Sequence, residues 1–416
     1  MPYYSSTEFP ESTEIPAKKT SITHAPAGRG RSRRRTAAGL AWVLGLVGLT
    51  LLSIGYSTTP HRPPTANAAV PRDPSHMSAA QFAAEGGTAL GWLQTRYAGA
   101  YTSTHEWQAA LSLMATMDYM KGTGSRAYLR DLANTYHAHH SNGQFVDHYY
   151  DDDGWWVLTW VKAYELTGNQ AYLAQAKSIF TAVTKGWTAT CGGGVLWKQH
   201  KPYKNAITNL EFLRGAVLLH DLTPGDSYYA NWAVREWNWF AASGMLTSSH
   251  LVVDGLHNCK PVLTSTKWTY NQGMLIGGLA LLSGMTGQSS LLARAEQVAH
   301  AVMHSPKLSP HGILREPCAP LACGKDAPEF KGVFMQNLYL LYQRTGNPAY
   351  RTYMHRNAVA MLTHDTRGKL FGLSWAGPFQ GPDMATQTAG LYLLNTQLPG
   401  GGLLLPRNAA AQAHSG

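Results

Sequence analysis

Three consecutive aspartates, Asp151, Asp152 and Asp153, stand between the aromatic pairs Tyr149-Tyr150 and Trp155-Trp156, where a long apolar helix should begin. Carboxylates packed this closely repel one another, so one tends to keep its proton while its neighbour ionises. Acid/base and nucleophilic chemistry on a glycosidic bond uses that division of labour, and the flanking rings suit a sugar face. A helix start needs one capping carboxylate, so at least one of the three is spare. Adjacent Cα atoms lie about 3.8 Å apart and helical side chains diverge, which suits the roughly 5 to 5.5 Å of a retaining carboxyl pair. The roughly 6.5 to 9.5 Å of an inverting pair would be a strain.

The elements that must hold these groups are helical. From Ser78 onward a phrase recurs: Gly124-Ser-Arg-Ala-Tyr-Leu129, Gly168-Asn-Gln-Ala-Tyr-Leu173, Gly225-Asp-Ser-Tyr-Tyr229, Gly287-Gln-Ser-Ser-Leu-Leu292 and Gly346-Asn-Pro-Ala-Tyr350. Each glycine is expected to end one helix, and the polar residue after it to cap the next. The helix before each phrase is apolar nearly all round, as in Gly154 to Thr167. The one after it is amphipathic, with Tyr172, Leu173, Ala176, Ile179, Phe180 and Val183 on one stripe. About twelve helices result, and an all-α (α/α)6 toroid of six hairpins, inner and outer, is the natural closure.

The starts of the apolar helices are all polar: His105 to Gln108, Asp151-Asp152, Lys204-Asn205 with Asn209, Tyr270-Asn271-Gln272, Glu329 to Lys331, and Asp383 with Gln387. If the inner helices run parallel, these ends meet at one mouth, where helix dipoles favour anions. Asn205, Asn209, Asn271 and Gln272 are candidates for binding sugar hydroxyls, because burying an amide without a partner is costly. Trp268, Tyr270 and Trp375 are aromatic platforms if exposed and core residues if not. The run Cys191-Gly192-Gly193-Gly194 would let backbone approach a ligand closely.

Before this domain, residues 1–36 form a tail with the basic cluster Arg29, Arg31, Arg33, Arg34 and Arg35, and residues 37–57 are uncharged and long enough to span a bilayer. A signal-anchor with its N-terminus in the cytoplasm is expected, or a signal peptide cleaved after Ala68. Residues 58–76 form a Pro/Ala-rich linker, 77–398 the helical domain, and 399–416 a C-terminal tail. The net charge of +10 falls to +4 from Asp73 onward, too mild to argue for nucleic acid. Four cysteines, Cys191, Cys259, Cys318 and Cys323, fit one or two disulfides in an exported chain, the local Cys318–Cys323 pair being preferred. No cofactor or metal is expected, since neither a C-x-x-C nor a matching histidine spacing occurs, and His137, His139 and His140 fall at the end of an amphipathic helix. A G-x-S-x-G elbow is also lacking.

A terpene cyclase also joins helical barrels to aspartate-rich motifs. The export segment and the amide-rich mouth argue against it, and no second magnesium-binding motif is evident. A non-catalytic glycan-binding toroid is the other alternative, which the intact aspartate pair disfavours.

The chain resembles glycoside hydrolase family 76, the endo-acting α-1,6-mannanases, from about Gln81 to Gln397. The matching motifs are Tyr150-Asp-Asp-Asp-Gly-Trp-Trp156, Cys191-Gly-Gly-Gly-Val195, Tyr203-Lys-Asn-Ala-Ile207 with Asn209, Lys267-Trp-Thr-Tyr-Asn-Gln-Gly273, Phe330-Lys-Gly332 and Phe371-Gly-Leu-Ser-Trp-Ala-Gly-Pro378. The resemblance implies an (α/α)6 toroid and retaining cleavage of α-1,6-linked mannose, or transglycosylation of cell-wall mannose glycans. It assigns the nucleophile to Asp151 and the general acid/base to Asp152, with Asp153 in a variable position. Tyr150, Trp197 and Lys331 join the candidate substrate-binding residues. The implied partner is an α-mannan or a mannose-containing glycan, handled outside the cytoplasm by a monomer tethered to the membrane through its N-terminal helix.

Overall fold

The chain divides after Thr65 into two units, and the computed structural model describes residues 73–102, 106–140, 145–319 and 323–401, all within the second. The expected tail 1–36 and apolar segment 37–57 lie outside the described residues. No described helix is long and apolar enough to cross a membrane.

Twelve α-helices are described: α1 (Ala79–Tyr97), α2 (Glu106–Thr123), α3 (Leu129–His140), α4 (Tyr150–Thr167), α5 (Gln170–Thr184), α6 (Ala206–Asp221), α7 (Ser227–Ala242), α8 (Thr269–Thr286), α9 (Ser289–Met303), α10 (Ala327–Thr345), α11 (Pro348–His364) and α12 (Met384–Asn395). Local chemistry sets several of these bounds. Gly168 takes a left-handed φ of 72° to end α4, and the Asn169 side chain then accepts from Ala171 N (3.0 Å) to start α5. The same punctuation recurs at Gly346 and Asn347. At Gly225 only half of it holds, since α6 has already ended at Asp221 while Asp226 caps α7 through Tyr228 N (2.8 Å), and after Gly287 the Gln288 side chain makes no cap.

The even-numbered helices pack in sequence, and α12 closes back onto α2. Closure buries them on all sides, so α6 has no exposed side chain from Ala206 to Leu219. Outer helices bury a single stripe: α5 lies on α4, α7 on α6, α9 on α8, and α11 on α10 and α12. The first helix, α1, covers the seam where α12 meets α2, so the two ends of the domain complete one ring. Each large apolar side chain buried this way, such as Trp160 or Leu213, contributes about 1.5 to 3 kcal/mol. Pro74–His76, the end of the expected linker, is a 3-10 turn packed on α11, where the Ser75 carbonyl bonds to His355 Nε2 (3.1 Å).

The axis of the ring is polar. Lys162 of α4 forms a buried ion pair with Asp118 of α2, whose other oxygen accepts from Gln336 Nε2 of α10 (2.8 Å). Arg214 of α6 donates to Asn337 Oδ1 of α10 (3.0 Å), and Ser112 of α2 bonds Thr388 of α12 (2.6 Å). Strand structure is sparse among the described residues. Short strands β1 (Lys204–Asn205), β2 (Gly255–His257) and β3 (Lys260–Pro261) form an antiparallel sheet, while β4 (Thr366–Arg367) pairs β5 (Leu370–Phe371). These strands tie together loops preceding the inner helices.

Candidate active site

Asp151, Asp152 and Asp153 occupy the first turn of α4, which starts from an extended Tyr149 with no side-chain cap. Asp153 is turned inward and is 1% exposed, and its Oδ1 accepts from Asp147 N (2.8 Å), so the third aspartate fixes the approaching loop. Asp151 and Asp152 remain partly exposed. Trp197 Nε1 donates to Asp151 Oδ2 (2.9 Å), while Tyr150 N donates to the Trp197 carbonyl (2.9 Å) and locks the tryptophan's loop to the helix start. Trp197 also meets Tyr149 and Tyr203 edge to face, at 5.1 and 6.0 Å between centroids. Burial pushes Asp151 up to about 7, against the lowering effect of backbone donors in its own turn and of Trp197.

The wall beside Asp151 is the small sheet. Ala206 N, at the start of α6, donates to the Asp254 carbonyl (2.8 Å). The Asp254 carboxylate accepts from Tyr203 OH (3.3 Å) and Asn271 Nδ2 (3.2 Å). Burial raises Asp254 to about 6 and these donors oppose the rise. A Cys191–Cys259 disulfide fastens the glycine loop to this hairpin, and Cys318–Cys323, the preferred local pair, also forms. Across the mouth an aromatic group is assembled from three helix starts. Tyr270 stacks on Phe330 at 3.8 Å, and Phe330 also meets Trp268 (5.6 Å) and Trp107 (6.2 Å). Tyr270 faces Asp254, Asp151 and Glu211, and burial, with these carboxyl groups beside it, holds its hydroxyl proton well above the ordinary phenol range.

Several expected ligand-contacting residues are corrected to supports. Trp375 is 1% exposed and carries Lys331 Nζ 4.8 Å above its ring, so it offers no platform. Lys331, also buried, donates to the Leu373 carbonyl and lies among Glu316 and Asp365. Asn209 clamps Val195 through its N–H (2.7 Å) and carbonyl (3.0 Å), and Gln272 does the same for Val252 at 2.7 and 2.9 Å. Both amides are fully buried, and each gives its second N–H to a further backbone carbonyl, that of Asn205 or Trp268, so no donor is left for a ligand. Tyr150 is nearly buried, its ring against Gly186. Asn205 and Asn271 are buried too, and each keeps a side-chain oxygen with no hydrogen-bond partner among the described residues. Trp197, Trp268 and Tyr270 retain exposed surface beside the aspartates or across the mouth. The glycine loop approaches a tryptophan rather than open space: a Cβ at Gly193 or Gly194 would collide with the Trp239 ring, whose Nε1 donates to the Cys191 carbonyl (2.9 Å).

Asp254 and Glu211 are absent from the sequence-derived set. Glu211 and Arg214 are the two charged residues of the otherwise apolar run Leu210 to Leu219, a signal that was legible. The Glu211 side chain lies against Gly154, one residue past the aspartates, where any Cβ would overlap Glu211 Oε2. Asp254 sits in a loop, with no periodic context to mark it.

The model of glycosyl hydrolase family 76 matches residues 82–400, most of the chain and all six inner helices. The chain belongs to this family. Mannan endo-1,6-alpha-mannosidase DCW1 of Candida albicans is 28% identical over 259 residues, covering 56% of this chain and 57% of that protein. DCW1 of Saccharomyces cerevisiae is 28% identical over 250 residues, 54% of each. The matched part thus spans little more than half the length of these relatives. Among solved family 76 structures, the GH76A alpha-1,6-mannanase of Salegentibacter sp. superposes with a TM-score of 0.69 at 23% identity, covering 76% of this chain and 98% of that one. Dfg5 from Chaetomium thermophilum, solved with glucosamine, gives 0.66 at 20% identity, covering 76% and 90%. These neighbours share the helical fold. An inactive form of the Salegentibacter enzyme, in complex with alpha-1,6-mannotriose, has two adjacent aspartates replaced by asparagine.

Proposed function

We propose that this chain is a retaining, endo-acting glycoside hydrolase that cleaves α-1,6-linked mannose backbones, with Asp151 as nucleophile and Asp152 as general acid/base. The observation that carries the reading is the pair itself: two adjacent, partly exposed carboxyl groups in one helical turn, at the mouth of a closed helical ring. Membership of family 76, and the adjacent aspartates whose replacement inactivates a structural neighbour, support it. The relatives named as mannan endo-1,6-alpha-mannosidases point to the same linkage.

In the first step Asp152 gives its proton to the glycosidic oxygen as Asp151 attacks the anomeric carbon. The carbon–oxygen bond breaks, the leaving chain departs as an alcohol, and a glycosyl ester remains on Asp151. Ionised Asp152 then takes a proton from water, whose oxygen attacks the anomeric carbon and frees the carboxylate. Two inversions leave the anomeric configuration unchanged. Trp197 positions Asp151 throughout, and Trp268 and Tyr270 supply faces for neighbouring sugars.

The two disulfides support action outside the cytoplasm. Residues 37–57 would tether the chain to the membrane, and the domain would work there as a monomer on mannan or a mannose-containing envelope glycan. The test is reducing-end release from linear α-1,6-mannan by the full chain. Asp151→Asn and Asp152→Asn should each lower the rate at least about 1000-fold with far-UV circular dichroism unchanged. Full activity in either variant removes the assignment.

A further inference from the structure

Glu211 presents a puzzle in polar accounting. It is 1% exposed, and neither carboxyl oxygen has a hydrogen-bond partner among the described residues. The groups facing it are mostly anionic: Asp151, Asp152 and Asp153 from α4, with Tyr270 of α8 close by. Arg214, one turn further along α6, bonds through Nη1 to Asn337 and Met274, while its Nε and Nη2 reach no hydrogen-bond partner among the described residues, Glu211 included. Burial, with these anionic neighbours, pushes the Glu211 carboxyl well above the ordinary carboxylate range and so favours its neutral form. A neutral carboxyl carries one O–H donor, and a buried donor needs an acceptor.

The neighbourhood contains one. Asp151 Oδ2 is taken by Trp197, whereas Asp151 Oδ1 is buried with no partner among the described residues. One orphaned acceptor and one orphaned donor therefore sit on facing turns of α4 and α6. Glycine at 154 fits this reading: a helix-interior glycine costs about 1 kcal/mol relative to alanine, and here it clears the space that the Glu211 carboxyl fills.

We propose that Glu211 is a positioning residue that stays protonated and donates its O–H to Asp151 Oδ1, directly or through one water, holding the nucleophile in place and in its ionised form. The proton remains on Glu211 throughout both steps, so no transfer to Asp151 is involved. The donor offsets the burial that otherwise pushes Asp151 up to about 7. It also remains as a donor to the carbonyl oxygen of the glycosyl ester. Asp147 and Tyr203 face Asp151 from the adjoining loops, and Tyr203 in turn donates to Asp254.

This inference rests on Asp151 being the nucleophile of the proposed reaction, and two readouts on the full chain keep the claims apart. The first is the pH dependence of kcat/KM on α-1,6-mannan for the parent, Glu211→Gln and Glu211→Leu. A glutamine keeps a donor and should hold the acid limb at the parent position. A leucine has none, and the limb should move up by about 1 pH unit, since losing a bond to a charged group disfavours the ionised form. The second is a carbon-13 carboxyl NMR titration of resting protein, with the Asp151 signal assigned by its loss in Asp151→Asn. It needs no turnover, so an inactive parent would refute the substrate reading while the Asp151 shift still tests the contact. Unchanged Asp151 titration in both variants overturns the proposal. A downward shift in Glu211→Gln overturns it too, because that is the effect of removing a negative charge. If the leucine variant does not fold, Glu211→Met takes its place as the variant without a donor, with the same upward shift expected.

Discussion

Two groups of buried carboxylates lie within the same ring, and they are treated in opposite ways. Along the axis, Asp118 faces Lys162 and Gln336, and Glu165 on the following turn of α4 lies among Lys162, Lys121 and Arg214. At the mouth, Asp151 has the indole N–H of Trp197 and its own helix turn, with Glu211 and Asp254 nearby and, among the described residues, no lysine or arginine bonded to it. Charges with cations at hand hold helices together and are chemically quiet. Burial raises Glu165 to about 7 even among these cations, as it raises Asp151. What sets the mouth apart is a carboxyl group, that of Asp151, partly exposed and, among the described residues, bonded to no cation, available for proton transfer and attack. At the mouth the Asp151 charge is left without the cation that pairs Asp118 on the axis.

The largest structural effect should come from breaking the axial pair. Lys162→Met leaves Asp118 buried without its cation and should cost about 3 to 5 kcal/mol in denaturant unfolding. Turnover per folded molecule should stay within about twofold, in contrast to the near-complete loss expected from Asp152→Asn. A cost under about 1 kcal/mol would break the comparison, because the axial cation would then not be needed for stability.

A smaller effect sharpens the other half. Asp151 is raised to about 7 in the folded chain, above its value of about 3.9 when unfolded, so the folded state holds that proton more tightly. The stability so conferred is complete below about pH 4 and is lost as pH rises toward 7. Asp151→Asn removes the loss. Parent and variant should unfold alike at pH 4, with the variant more stable at pH 8 by no more than about 4 kcal/mol. A variant less stable than the parent at pH 8 would show that the ionised carboxylate is a net contributor to the fold.

Much of the ring was legible in the sequence because its signals are local. Gly168-Asn169 and Gly346-Asn347 mark helix boundaries by their own backbone requirements, and all-round apolarity separates α4, α8 and α10 from the striped α5 and α9. The aspartate run stood out because its density exceeds what capping needs. Burial of individual polar and aromatic residues was not legible. Trp375 and Trp268 look alike as letters, yet one lies under Lys331 and the other at the rim, a difference made by loops far apart in sequence. Asn209 and Gln272 read as ligand amides because a buried amide needs partners, and the backbone of Val195 and Val252 provided them. Cys191–Cys259 joins positions 68 apart, which no spacing rule selects. Glu211 and Arg214, charged residues inside an apolar helix, were the overlooked sign that this helix lines a polar interior.

The assignment of Asp151 and Asp152 as a nucleophile and an acid/base makes a stereochemical demand that neither burial nor family membership can imitate. Proton NMR of linear α-1,6-mannan during the first minutes of cleavage by the full chain reports the anomer formed before mutarotation. New reducing ends should appear first as the α anomer, with β signal growing only afterwards. Reducing ends that appear first as the β anomer would mean single inversion, and the adjacent-aspartate mechanism would be wrong.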